Sequence, residues 1–452
     1  MTLYDYFGRE VRKIGFLGLG RSNLSLLGCL PLSGVKIALR SDGKIDRSKI
    51  PTYIGNPEIY EGKSALLGID EDVLILSPSV RRDRPELLLA RERGVVFSSD
   101  AELFFSQARG DIFAVTGSDG KSTVTAMCGE LLRQKRSNLA VIGNIGVPML
   151  PEITPCRTYV TEISSFCLTY LNAKIRRGAV TNITPNHLNW HESFAEYRDS
   201  KLSLLTMADE GVISFDDGEL RKAFTGREIF GVTSDRLHLG ELKKLCRAEV
   251  YITRDENFIY RNGEVLLPVS CIRRREGHNV KNLMTAIALC DGYADSADAL
   301  RVASEFSGLA HRAQVVASQD GVDYIDSSID TTPSRTAMTL ESLGRSAIII
   351  LGGRGKGLGY EALLPALKKY VRYAIVTGED REKIAETAGG QIKTEVIADF
   401  AEAVQRACLL ARRGDAVLLS PAATSYDAFS SFEERGLAFE KIVLNYCGNN
   451  RK

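Results

Sequence analysis

The chain has 452 residues, 44% of them hydrophobic and 25% charged, with 58 Lys and Arg against 57 Asp and Glu. At about 150 residues per domain, that length points to about three domains, each able to bury a core. The balanced charge excludes a broadly basic nucleic-acid binder, and no apolar run reaches the ~18 residues that span a bilayer.

Nine Cys are scattered with no C-x-x-C pair, which argues against a disulfide framework or a Cys-rich zinc site and fits a reducing cytoplasm. Residues 1–13 are charged and lack the apolar core of a signal peptide. In the first third, short apolar runs at 14–17, 35–39 and 73–76 end in Gly18-Leu19-Gly20, Arg40-Ser41-Asp42 and Ser77-Pro78. Brief runs that stop at Gly, Ser or Pro read as buried parallel strands with ligand-facing loops at their carboxyl ends. The middle third opens with a strand at 112–115, and further strands are predicted at 159–163 and 179–183. Asn262-Gly263 predicts a type I′ hairpin. The stripe Val280, Leu283, Met284, Ile287 predicts a packed helix, the last of this third, with His278-Asn279 at its cap. Strands follow at 347–351, 373–376 and 416–419. Alternation throughout predicts an α/β protein of three domains, 1–105, 106–310 and 311–452.

Thr116-Gly117-Ser118-Asp119-Gly120-Lys121-Ser122-Thr123, between a strand and a helix, is the sharpest chemical signal. Such a turn exposes backbone N–H groups to phosphate oxygens, Lys121 adds a full charge, and Ser122 or Thr123 can place a hydroxyl on Mg²⁺. The usual first Gly of a P-loop is Val115 here. Gly18-x-Gly20 suggests a nucleotide fold or merely a tight turn. Glu162, at a strand end, is a candidate Mg²⁺ ligand, or else part of a helix-capping cluster with Ser164 and Ser165. His187 and His191 have zinc spacing, yet Pro185 makes a loop there and no Glu stands between them; a His near Mg²⁺ or phosphate, or one simply hydrogen-bonded, fits better. By residue type alone, Lys201 reads as a solvated surface lysine. Arg312 either pairs with a carboxylate or reaches a phosphate.

The ordered set of 116–123, Gly143-Asn144-Ile145-Gly146, 162–166, His187, 197–202, 277–282, His311-Arg312, 351–356 and 419–436 resembles the Mur ligase family over nearly the whole chain. The resemblance is strongest to the branch that adds D-glutamate. It implies a Rossmann-like UDP-binding domain, a central P-loop-type ATPase domain and a Rossmann-like C-terminal domain for the incoming amino acid. It implies that Gly117, Gly120, Lys121, Ser122, Thr123, Asn279 and Arg312 hold ATP. Thr123, Glu162, His187 and Lys201 would hold Mg²⁺, two ions in all, with Lys201 carbamylated. Lys121, Glu162, His187 and Lys201 form the implied catalytic set. Ser22, Asn23, Ser41, Asp42, Ser77 and Asn144 fall where the UDP substrate is held, and Thr331, Lys356, Ser425 and Phe432 where D-glutamate is gripped. The family's Thr-Asn-Gly-Lys loop reads Ser118-Asp119-Gly120-Lys121, the acid before its His is Asn186, and the Lys of its Asp-Ser-Lys segment is Ile329. Arg335, a turn further on, offers a replacement charge.

The activity implied is ATP-dependent amide synthesis between UDP-N-acetylmuramoyl-L-alanine and D-glutamate through an acyl phosphate, by a cytoplasmic monomer that engages neither nucleic acid nor membrane. Closure of the domains would keep water from the intermediate. The alternatives are another Mur or folylpolyglutamate-type ligase, and a nucleotide-binding paralogue without turnover.

Overall fold

The computed structural model describes residues 2–144, 147–155, 157–275, 277–355 and 359–449. It divides into two compact units, Met1–Phe306 and Ser307–Lys452. Three sheets carry the fold, and each grows from apolar runs flanked by helices.

In the first unit, β1 (Lys13–Leu17), β2 (Lys36–Ser41), β3 (Glu58–Glu61), β4 (Val73–Leu76) and β5 (Val96–Ser98) form a parallel sheet in the order β3-β2-β1-β4-β5. Phe16 lies opposite Leu39 on one side and Ile75 on the other, and all three are fully buried. The order reverses beside β1, so the loops after β1, β2 and β4 share one edge. That is the usual binding crevice of such sheets.

The second sheet contains β6 (Ile112–Thr116), β7 (Leu139–Gly143), β8 (Thr158–Glu162), β9 (Ile175–Val180), β10 (Ala208–Ser214), β11 (Glu228–Ser234), β12 (Arg247–Arg254), β13 (Phe258–Arg261) and β14 (Glu264–Pro268). Its order is β14-β13-β12-β11-β10-β9-β6-β8-β7. β6 runs parallel between β8 and β9, with Val115 opposite Glu162 and Thr116 opposite Val180. The chain therefore leaves all three strands at the same edge. The strand predicted at 179–183 is displaced, because Thr181, Asn182 and Thr184 leave the ladder to bond the glycine loop instead. Asn262 and Gly263 have φ of +53° and +92°, as a type I′ turn requires.

The helix Gly277–Leu289 buries Val280, Leu283, Met284 and Ile287 against this sheet's core. His278 and Asn279 lie within its first turn rather than before it, and it is not the last helix of the unit, since Ser296–Glu305 follows. The second unit holds β15 (Gln314–Gln319), β16 (Val322–Asp326), β17 (Ala347–Gly352), β18 (Val371–Thr377), β19 (Lys393–Val396) and β20 (Ala416–Leu419), ordered β15-β16-β20-β17-β18-β19. All neighbours are parallel except β15 with β16. Among the described residues no helix is long and apolar enough to cross a membrane.

Candidate active site

The loop after β6 closes on backbone conformations that a side chain would obstruct. Gly117 has φ +145°, and a Cβ there would lie 1.8 Å from Thr181 Oγ1. Gly120 has φ +80°, and its Cβ would lie 2.3 Å from Asn282 Oδ1. The loop is pinned from β9's side: Ser118 N donates to Asn182 O (2.8 Å), Asp119 N to Asn182 Oδ1 (2.9 Å) and Thr181 Oγ1 to Asp119 O (2.6 Å). The helix Lys121–Arg133 starts at Gly120, which brings no capping side chain, so its first N–H groups have no side-chain acceptor from the cap, as at helix ends that bind anions. Lys121 Nζ donates to Ser118 O at 2.8 Å. Ser122 and Thr123 occupy the same first turn, Thr123 being buried.

Lys201 corrects the reading from residue type. It is 2% exposed, on the buried face Tyr197, Ser200, Lys201, Leu204 of the helix Phe194–Met207. Its Nζ donates to Gly117 O at 2.7 Å and lies 4.5 Å from the Tyr197 ring centroid. Burial lowers its pKa to about 7; Lys121's charge pushes the same way, while Asp119 and Glu162 oppose it. The amine is thus substantially neutral near pH 7 and sits among the other charged groups of the loop.

Glu162, at the end of β8, is 1% exposed. Its Oε1 accepts from Asn144 Nδ2 at 3.0 Å, and Asn144 N donates to Glu162 O at 3.0 Å. Its Oε2 is buried with no hydrogen-bond partner among the described residues. An orphaned carboxylate oxygen at the end of the strand paired with β6 fits a hard, oxygen-seeking cation.

His187 lies in the following loop, exposed, at φ +55°, with its ring edge-on to Phe166 at 5.0 Å. His191 turns inward: it is 2% exposed, its Nε2 is 2.9 Å from Ser165 Oγ, and burial lowers its pKa. Sequence reasoning missed His191, Tyr197 and Asn282 as members of this corner. Tyr197 OH bonds Ser118 Oγ at 2.8 Å, and Asn282 closes on Gly120. The Gly277-to-Asn282 motif was the available signal for Asn282. Asn279, in the same first turn, is buried.

Of the residues read as UDP contacts, Ser22 and Asn23 begin the helix Arg21–Cys29, and Ser41, Asp42 and Ser77 lie at the carboxyl ends of β2 and β4. Asn23 is 1% exposed, and its amide donates to the carbonyls of Leu17 and Gly18. It ties the loop rather than standing open to it. Asp42 pairs with Arg84 at 3.0 Å.

In the second unit, the loops after β16 and β20 meet. Ser328 Oγ donates to Phe432 O (2.8 Å), while buried Arg435 donates to Ser328 O (2.9 Å) and Ala423 O (3.1 Å). Thr331, Ser425 and Phe432 belong to these joined segments, and Lys356 lies outside the described residues. Arg335, exposed, bonds the carbonyl of Ile329 at 3.4 Å. Arg312 follows His311, whose Nδ1 is 2.7 Å from Asp326 Oδ2; that carboxylate raises the His311 pKa. Glu440 brings a third potential ligand atom to this pair, which the His–Asp bond already satisfies.

Family profiles described as "Mur ligase middle domain" and "Mur ligase, glutamate ligase domain" match residues 115–290 and 311–423. A UDP-N-acetylmuramoylalanine–D-glutamate ligase of Acetivibrio thermocellus is 31% identical over 98% of both chains. A Pseudomonas syringae pv. tomato protein of the same name is 33% identical over 94% of this chain and 96% of its own. Among solved structures, the UDP-N-acetylmuramate-alanine ligase MurC of Thermotoga maritima matches with a TM-score of 0.58 at 19% identity, covering 98% of this chain and 100% of its own. The MurF ligase of Thermotoga maritima, in complex with ADP, matches at 0.50 and 16% identity, covering 98% and 97%.

Proposed function

The chain belongs to the Mur ligase family, and on that footing we propose that it joins D-glutamate to the L-alanyl carboxylate of UDP-N-acetylmuramoyl-L-alanine with ATP, in peptidoglycan synthesis in the cytoplasm. The names of its full-length relatives support D-glutamate as the amino acid. The observation that carries the chemistry is Lys201, an amine buried on Gly117 O beside Lys121, with its pKa brought to about 7.

An amide does not form from a carboxylate and an amine in water without activation. The L-alanyl carboxylate attacks the γ-phosphorus of ATP in line, breaking its bond to the bridging oxygen and giving an acyl phosphate and ADP. The amine of D-glutamate then attacks the acyl carbon, expels phosphate and loses a proton. Phosphoryl transfer depends on alignment and charge neutralisation more than on covalent help. Gly117 and Gly120 let the loop backbone approach the phosphates, Ser122 adds a hydroxyl, and Lys121 places its charge on the transferred group. Asn279 and Arg312 hold the nucleotide. Mg²⁺, when bound, neutralises phosphate oxygens; Thr123, Glu162 and His187 would hold it with Lys201, in two sites.

Lys201 as an amine cannot ligate a cation while protonated. Its neutral form can attack CO₂, lose a proton and become an anionic carbamate, a hard oxygen ligand. Burial that favours the neutral amine favours that conversion.

The work divides by segment. Residues 1–105 hold the UDP group through Ser22, Ser41, Asp42 and Ser77, with Asn23 bracing their loop and Asn144 added from residues 106–310. Residues 311–452 hold D-glutamate through Thr331, Lys356, Ser425 and Phe432. Arg335 supplies the positive charge that Ile329 does not.

The test is phosphate release with ATP, Mg²⁺, UDP-N-acetylmuramoyl-L-alanine and each of D-glutamate, L-alanine, L-lysine and meso-diaminopimelate. Release with D-glutamate alone supports the reading; release with none of the four overturns it.

A further inference from the structure

The loop after β4 and the loop carrying His187 belong to different sheets of the first unit, yet they are bonded to each other. Trp190 Nε1 donates to Ser79 O at 2.8 Å, and Arg81 Nη1 donates back to Trp190 O at 2.8 Å. The Arg81 guanidinium also reaches Glu196 (3.2 Å) and Glu192 (3.2 Å), and pairs with Asp83 on its own loop. It lies 5.1 Å from the Trp190 ring centroid. On one side, Ser79 Oγ bonds Ser77 Oγ at 3.2 Å. On the other, the backbone N–H groups of Trp190 and His191 both donate to His187 O, at 2.9 and 3.0 Å. Phe166 packs between, 4.6 Å from the Trp190 ring and 5.0 Å from His187.

His187 holds φ +55°, a conformation that a residue with a Cβ keeps only where its surroundings enforce it. The segment around it forms turns, with neither helix nor strand of its own, so these bonds set where the imidazole sits. We propose that Arg81 and Trp190 form a latch through which occupation of the β4 loop by the UDP substrate positions His187 for the nucleotide and its cation. Arg81 and Trp190 are positioning residues, since their contacts run to the loops and not to the reacting atoms. A guanidinium shared among Asp83 of its own loop, Glu192 of the His187 loop and Glu196 of the helix Phe194–Met207 can redistribute its bonds without being released to solvent. Glu196 is the pivot: it accepts from Arg81 and from Glu192 N (2.6 Å), and lies 3.8 Å from His191 Nδ1, which has no hydrogen-bond partner among the described residues. By linkage, nucleotide binding must then tighten the UDP substrate by the same factor.

This inference rests on the ligase reading. Trp190 is the only tryptophan of the chain, so its emission reports on the latch directly. Calorimetry measures binding of Mg²⁺ with a non-hydrolysable ATP analogue, with and without saturating UDP-N-acetylmuramoyl-L-alanine. In the wild-type chain the substrate shifts Trp190 emission and tightens the nucleotide about fivefold or more. In Arg81→Gln the tightening falls below about twofold, while affinity for the nucleotide alone stays within about twofold, since the phosphate loop is untouched. If Arg81→Gln does not fold, Trp190→Phe keeps an aromatic ring at the position, removes the bond to Ser79 O together with part of the indole's packing, and gives the same calorimetric result. Undiminished coupling in a folded variant overturns the latch, as does unmoved wild-type emission while calorimetry records binding. Failure of the wild-type chain to bind the UDP substrate at all overturns the ligase reading, and the latch with it.

Discussion

Lys201→Met separates the stability of the buried lysine from its chemistry. The Lys201 pKa falls from 10.5 to about 7 on folding, with burial as the main cause. Between those values the folded chain binds fewer protons than the unfolded one. The cost of the lysine is therefore full below pH 7 and is relieved as pH rises towards 10.5. Linkage puts that cost at about 4 kcal/mol at pH 7 and about 2 kcal/mol at pH 9. Losing the bond to Gly117 O takes back about 1 kcal/mol. Lys201→Met is then more stable by about 3 kcal/mol at pH 7 and by about 1 kcal/mol at pH 9, while turnover is abolished. In thermal unfolding this is a rise of about 6 °C at pH 7, shrinking to about 2 °C at pH 9. The assay pairs melting curves of both proteins in CO₂-free buffer with phosphate release at each pH. A gap that does not narrow with pH, or a variant less stable at pH 7, would refute the argument that the amine is held neutral at a cost to folding.

Glu162→Gln keeps the bond partner for Asn144 but removes the anionic, unpartnered Oε2; kcat falls about 100-fold or more at an unchanged melting temperature. Gly120→Ala, at φ +80° and against Asn282 Oδ1, destabilises the chain by about 1–3 kcal/mol in urea titrations and eliminates calorimetric ATP binding. Arg335→Gln raises KM for D-glutamate about tenfold and leaves KM for ATP within about twofold, as expected for one lost charge-assisted bond; equal KM values for D-glutamate would remove Arg335 from that site.

What the sequence disclosed was local. The Thr116-to-Thr123 turn, the Asn262-Gly263 hairpin and the Val280, Leu283, Met284, Ile287 stripe each depend on residues within a turn or two of one another, and each has the expected form. Lys201 was illegible by residue type because its burial depends on β6 and β9 carrying Gly117 over the helix Phe194–Met207; only the ordered family motifs singled it out. The strand predicted at 179–183 failed for a related reason. Thr181 and Ile183 are β-branched, as in a strand, but the polar atoms of Thr181 and Asn182 are taken by the neighbouring loop. Asn23 sits where a ligand-facing loop begins, yet nothing local tells that its amide turns back onto Leu17 and Gly18. His191 was weighed with His187 as a zinc pair, as a His near Mg²⁺ or phosphate, or as one simply hydrogen-bonded; its bond to Ser165 was not legible because it joins segments 26 residues apart.

The central claim is that the L-alanyl carboxylate is activated by transfer of the γ-phosphoryl group. It is tested most directly with UDP-N-acetylmuramoyl-L-alanine carrying ¹⁸O in that carboxylate, turned over with ATP, Mg²⁺ and D-glutamate. The account predicts that one ¹⁸O appears in each phosphate released, read from its ³¹P resonance. Unlabelled phosphate formed together with the amide would contradict it.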